Sequence, residues 1–214
     1  QVEDNTEPIV SIAKDKEQPY AMTMLFHKHD AYPDQMKGDL NYLIYSTALY
    51  AVQSMLSDRI DEIMHSPNPP FIQAQIADDD FLISKTKKAF QGVAVSSEAD
   101  ILTPMKTVYR EMLRAVRGGF TASEYERFKT NFMSDLETRY NQRSKTKSAA
   151  YCREYVRHFI DNEPIPGIEN EYAMAQQMLP AIPVAVVNQI ASTLVAPDMG
   201  NLVVVMMLPD KEGV

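Results

Sequence analysis

From Leu40 to Met64, apolar side chains recur every three or four residues, through Leu43, Ile44, Ala48, Ala51, Met55, Leu56 and Ile60. The run halts at Ser66-Pro67-Asn68-Pro69-Pro70. This period places them on one face of an α-helix of about six or seven turns. A helix with a single apolar face must bury it against another layer, and the neighbouring segments read as one. Tyr20 to His29, bounded by Pro19 and by Asp30 to Pro33, has the character of a strand. Phe71 to Ala77 and Ala89 to Ser97 read as the arms of an irregular hairpin, with Asp78-Asp79-Asp80 interrupting them as a solvated turn.

The second half is mostly helical in pattern. Pro104 suits the first turn of a helix running to about Arg117, and Gly118-Gly119 ends it, because glycine takes a left-handed cap without steric cost. Thr121-Ala122-Ser123-Glu124 has the form of a capping box. The helix it opens shows Tyr125, Phe128, Phe132, Leu136 and Tyr140 on one face, as core. A basic stretch from Arg143 to Lys147 breaks that helix. Ala149, Cys152, Tyr155, Val156 and Phe159 begin a further apolar stripe, closed by Pro164 to Gly167. One or two short helices follow between Glu169 and Leu194, broken near Pro180 and Pro183. Val203 to Leu208, apolar on both faces, reads as a buried strand. This order predicts an α+β fold, a mostly antiparallel sheet covered on one face by several helices. Residues 1–17 read as a connecting arm leading into the domain, and 18–214 as a single domain.

Charge and composition narrow the function. Lys and Arg total 21 against 29 Asp and Glu, a net charge of −8, which repels phosphate backbones, so no nucleic-acid partner is expected. No apolar run approaches the ~18 residues of a membrane span. A single cysteine excludes a disulfide framework and any four-cysteine zinc module within the chain. Gln1 opens the sequence without a basic-then-apolar leader, so a removed leader or a longer parent is expected.

No catalytic motif stands out. There is no Gly-rich phosphate loop, no Gly-x-Ser-x-Gly elbow, no His-Glu-x-x-His and no inverted His-x-x-Glu-His. His27 and His29 share one face of a strand and could hold a metal with Asp30 as a third ligand. The plainer reading is a pair of partly exposed strand-end histidines. Asp78-Asp79-Asp80 lacks the glycine and distal glutamate of a calcium loop. Cys152 reads as an inert packing residue on an apolar stripe. Arg143, Lys145 and Lys147 read as a solvated helix junction, with an anion or carboxylate contact as the alternative. No catalytic residue and no metal ligand is therefore assigned within the chain.

Several segments resemble a known family when taken together. They are Glu7-Pro8-Ile9-Val10, Met55-Leu56-Ser57-Asp58-Arg59-Ile60-Asp61-Glu62-Ile63, Pro69-Pro70-Phe71 and Ala89-Phe90-Gln91-Gly92-Val93-Ala94-Val95. Gly118-Gly119-Phe120-Thr121-Ala122-Ser123-Glu124-Tyr125 and Tyr155-Val156-Arg157-His158-Phe159 follow. In this order the chain resembles the second, non-catalytic domain in the N-terminal half of a long bacterial insulinase/pitrilysin-type zinc metallopeptidase.

The resemblance implies a parent enzyme that hydrolyses peptides with zinc held by an inverted motif in a different, catalytic domain. It implies no cofactor in this chain. The chain's partners would be that catalytic domain and peptide substrates, bound as added strands at a sheet edge. Phe71, Ile72, Gln73, Ala74 and Gln75 are the expected substrate contacts. Self-association of the excised domain is expected through a flank left bare. The resemblance leans toward a bacterial periplasm or cell envelope over the cytoplasm. Two alternatives belong to other classes: a non-catalytic scaffold subunit related to the respiratory-complex core proteins, and a stand-alone peptide-binding module.

Overall fold

The strands are β1 (Ile9–Asp15), β2 (Ala21–Asp30), β3 (Gln73–Asp80), β4 (Lys87–Ser96) and β5 (Leu202–Pro209). The helices are α1 (Leu40–Met64), α2 (Leu102–Gly118), α3 (Ala122–Asn141), α4 (Ser148–Asp161), α5 (Ile168–Met178) and α6 (Val184–Thr193). These elements come from a computed structural model that describes residues 2–97 and 100–210. They form two units. The first holds the residues up to Ala31, Val52–Gly119 and those from Asn188 on; the second holds Tyr32–Ala51 and Phe120–Val187.

The first unit is built on one sheet in the order β1-β5-β2-β4-β3. Every pairing is antiparallel except β1 with β5, so the α+β class with a mostly antiparallel sheet holds. In β2 the burial alternates over Ala21 to Leu25, where Ala21, Thr23 and Leu25 are buried and Met22 and Met24 half-buried. This is the period-two signature of a half-covered strand. Helix α2 lies against β4, with further contact to β3 and β2.

The approach of α2 depends on Gly92. A Cβ there would sit 2.5 Å from Val108 Cγ1 and 2.6 Å from Met112 Sδ, both on buried side chains of α2. On the opposite face of the sheet, Phe26, Phe81, Ala89 and Val203 form a smaller cluster edged by Val2, Met24 and Val205. The Phe26 and Phe81 rings meet edge to face at 5.5 Å.

The second unit is helical. At its centre Thr121 caps α3: its Oγ1 accepts from the Glu124 amide, and the Glu124 carboxylate accepts from the Thr121 amide at 2.7 Å. The α3 stripe is core as expected at Tyr125, Phe128 and Leu136, while Phe132 and Tyr140 are half-buried. Phe128 and Phe132 stack on each other, and both contact Tyr50 of α1. The Tyr125 hydroxyl donates to the Ile182 carbonyl at 3.0 Å.

Four sequence expectations are corrected. The presumed arm contains a strand, β1, paired with β5 through Ile9 to Asp15. Asp78-Asp79-Asp80 is no turn: it continues β3 opposite Phe90, Ala89 and Lys88. The chain reverses instead between Phe81 and Thr86, where Leu82 takes φ +56° and Ile83 is exposed. Cys152 is exposed rather than packed, because none of α4 is buried. β5 is only partly buried: Val203, Leu208 and Pro209 are buried, but Met207 is exposed.

Candidate functional site

The predicted contact segment runs along an edge of the sheet. Among the described residues β3 pairs only with β4, so one side of its backbone ladder has no described strand beside it. Such an edge is a template for an added strand. The five expected residues do not present one surface. The Phe71 ring is buried and anchors the start of the strand. The Ile72 amide donates to the Val95 carbonyl at 2.8 Å, and its side chain is exposed. Gln73 and Gln75 are exposed on the face opposite α2, and Ala74 is half-buried. The edge backbone, with Ile72, Gln73 and Gln75, is what a ligand could reach.

Farther along, the same strand carries an ion pair that sequence reading missed. His29 Nε2 lies 2.6 Å from Asp78 Oδ1, and the Asp78 side chain is almost fully buried. His29 Nδ1 faces the Asp30 carbonyl at 3.0 Å. Both ring nitrogens thus point at acceptors, which favours the imidazolium. Burial pulls the His29 pKa down, but the hydrogen bond and charge of Asp78 outweigh it, and the net shift is upward. Lys88 pairs with Asp80 at 3.0 Å. The acidic run therefore lies in a strand because cations neutralise two of its members.

His27 behaves oppositely. It is 1% exposed and stacks on Tyr109 of α2 at 5.8 Å, and neither of its ring nitrogens has a hydrogen-bond partner. Burial pushes its pKa down to about 4. The two histidines share a strand face, as the sequence implied, yet they are not the exposed strand-end pair expected. One is a neutral core ring and the other an ion-pair partner. The nearby Lys87 bridges Asp4 and Asp30, both at 2.7 Å.

The second unit holds a cavity of about 240 Å³ with Leu43, Phe132, Met174 and Met178 among its walls. Tyr42 donates to both Glu163 oxygens at 2.5 and 2.6 Å, and Lys37 stands 3.5 Å from the same carboxylate. Burial, then the Glu163 hydrogen bond, drives the Tyr42 pKa up. Arg139 and Glu171, which also line the cavity, meet at 3.2 Å. No local sequence signal joins Tyr42 to Glu163, which are 121 residues apart. The basic junction is exposed, and Arg143 makes the carboxylate contact that was the alternative reading: it pairs with Glu169 at 3.2 Å and lies over the Tyr140 ring.

No protein-family model matches the chain. A zinc protease PQQL-like protein of Arabidopsis thaliana is 24% identical over 139 residues, 65% of this chain and 11% of that protein. The structure of the first half of the periplasmic protease PqqL from Escherichia coli matches 96% of this chain and 43% of its own, with a TM-score of 0.80 and 13% identity. The chain has the fold of a domain of this protease. A structure described as a predicted insulinase family protease from Yersinia pestis agrees, with a TM-score of 0.74 at 15% identity over 98% of this chain and 43% of that one.

The chain thus spans 11% of the curated relative and 43% of each of those two structures. Among its described residues, no group of three or more His, Cys, Asp or Glu could hold a metal ion. The donor set does not fit a catalytic zinc. Both ring nitrogens of His27 are enclosed without a hydrogen-bond partner, and His29 is already engaged by Asp78. Among the described residues, no helix is long and apolar enough to cross a membrane.

Proposed function

We propose that this chain is the non-catalytic second domain of a zinc metalloendopeptidase, and that it helps to wall the chamber in which a separate catalytic domain cleaves peptides. The observation that carries this reading is the match of nearly the whole chain to less than half of a protease half-structure. Such a half has room for a second domain of similar size. The name of the Arabidopsis relative supplies the zinc chemistry. In the parent, zinc would be held outside this chain by the inverted motif that this sequence lacks. We take the domain to include β1 together with residues 18–214, because β1 completes its sheet.

Within this reading, an extended peptide adds to the β3 edge alongside Phe71, Ile72, Gln73, Ala74 and Gln75. Backbone hydrogen bonds would provide affinity, and Ile72, Gln73 and Gln75 would meet alternate peptide side chains. The assignment is tested by dialysing the chain against zinc and measuring bound metal and hydrolysis of a fluorogenic peptide. The expected outcome is no stoichiometric zinc and no cleavage above solvent background. One zinc per chain with chelator-sensitive cleavage would overturn it.

A further inference from the structure

α2 carries a basic ridge on a chain whose net charge is −8. Lys106, Arg110, Arg114 and Arg117 are all exposed. Their spacing of four, four and three residues sets them along one side of the helix over roughly 16 Å. The only acid in α2 is Glu111. It is buried beneath the ridge, 3.3 Å from Arg114 and 3.9 Å from Arg110, so it offsets one charge and exposes none of its own.

The ridge also has apolar character. Tyr109 and Leu113, both half-buried, line the same open groove as the four cations. Tyr109 is held flat against the buried His27 ring, which makes it a fixed anchor rather than a mobile surface side chain. A fixed aromatic ring flanked by arginines is the composition that concentrates binding energy at protein interfaces.

We propose that this ridge docks an acidic segment of a separate protein, its carboxylates facing Lys106, Arg110, Arg114 and Arg117 and an apolar side chain seated against Tyr109 and Leu113. Charge complementarity selects this occupant. With those four cations set aside, the rest of the chain carries −12. A broad polyanion such as a membrane or a nucleic-acid duplex would meet that repulsion as soon as it reached past the helix. A second copy of this chain approaching through this face would meet the same repulsion. A short acidic segment touches the ridge alone. The proposal rests on α2 and stands whether or not the peptidase reading holds.

The test uses a short fluorescent peptide rich in Glu and Asp, with Leu at every fourth position, and reads anisotropy as the chain is added. Binding is expected, and added salt should weaken it steeply. Lys106→Glu combined with Arg110→Glu should lower affinity by about tenfold or more. Lys145→Glu combined with Lys147→Glu, at another exposed basic site, should change it by less than about twofold. Circular dichroism confirms that each variant stays folded. Absence of binding to the parent chain would overturn the proposal, and so would equal affinity of the ridge variant. Preferential binding to phosphatidylserine–phosphatidylcholine vesicles or to duplex DNA would also overturn it.

Discussion

His27 and His29 lie two residues apart on one strand face and respond to pH in opposite directions. For His27, burial holds the folded value at about 4, against about 6.5 in an unfolded chain. Between those values the unfolded state binds the extra proton, so stability falls as pH drops from about 6.5 toward 4, by up to roughly 3 kcal/mol. For His29 the folded value is raised. Its contribution is complete below about 6.5 and is lost as pH rises through the raised value. His27→Phe keeps a ring against Tyr109 and removes the titration. Urea unfolding across this pH range should then show a flatter acid limb than the parent chain, and an unchanged slope would contradict the burial argument. The shared face of the two histidines was legible from their spacing. Their partners were not, because Asp78 and Tyr109 reach them only through strand pairing and helix docking.

Elements with a strong local signature were readable, and those defined by distant partners were not. The period of α1, the Gly118-Gly119 stop and the Thr121 capping box all state their structure within a few residues. Loss of that cap in Thr121→Ala should cost about 1 kcal/mol, read as a shift in the denaturation midpoint. β1 was missed because its seven residues are all exposed, and it exists as a strand through its pairing with β5. Asp78 to Asp80 was misread because carboxylates favour turns, and the compensating His29 and Lys88 stand on other strands.

The same dependence on distant neighbours makes Gly92 critical. In Gly92→Ala the new methyl meets branched Val108 as well as flexible Met112. We expect a loss of about 1–3 kcal/mol in chemical denaturation. A neutral result would mean that α2 can lift from β4 freely. At the β3 edge, an extended peptide substrate should slow hydrogen exchange at residues 72–75 more than in β1, and equal protection would count against the proposed contact.

Across the whole molecule, the α+β class and the family fold were legible because they depend on the order of elements, which tolerates errors at individual residues. The exposed state of α4 was not. Its stripe looks like core in the sequence, yet Tyr155, Val156, Phe159 and Ile160 are 59%, 55%, 90% and 52% exposed. An apolar row of this kind on an isolated chain should drive association. Light scattering should show mass rising with concentration, and Phe159→Ser should suppress the rise. A strictly monomeric profile would show that the stripe is not adhesive.

The central claim is that this chain supports chemistry performed on another domain. It is tested most directly by adding the chain to a separately purified domain of the same parent that bears His-x-x-Glu-His, and following hydrolysis of a fluorogenic peptide. The account predicts little cleavage by either part alone and a chelator-sensitive gain when they are combined. Cleavage by this chain alone, or no gain on mixing with a folded catalytic domain, would contradict it.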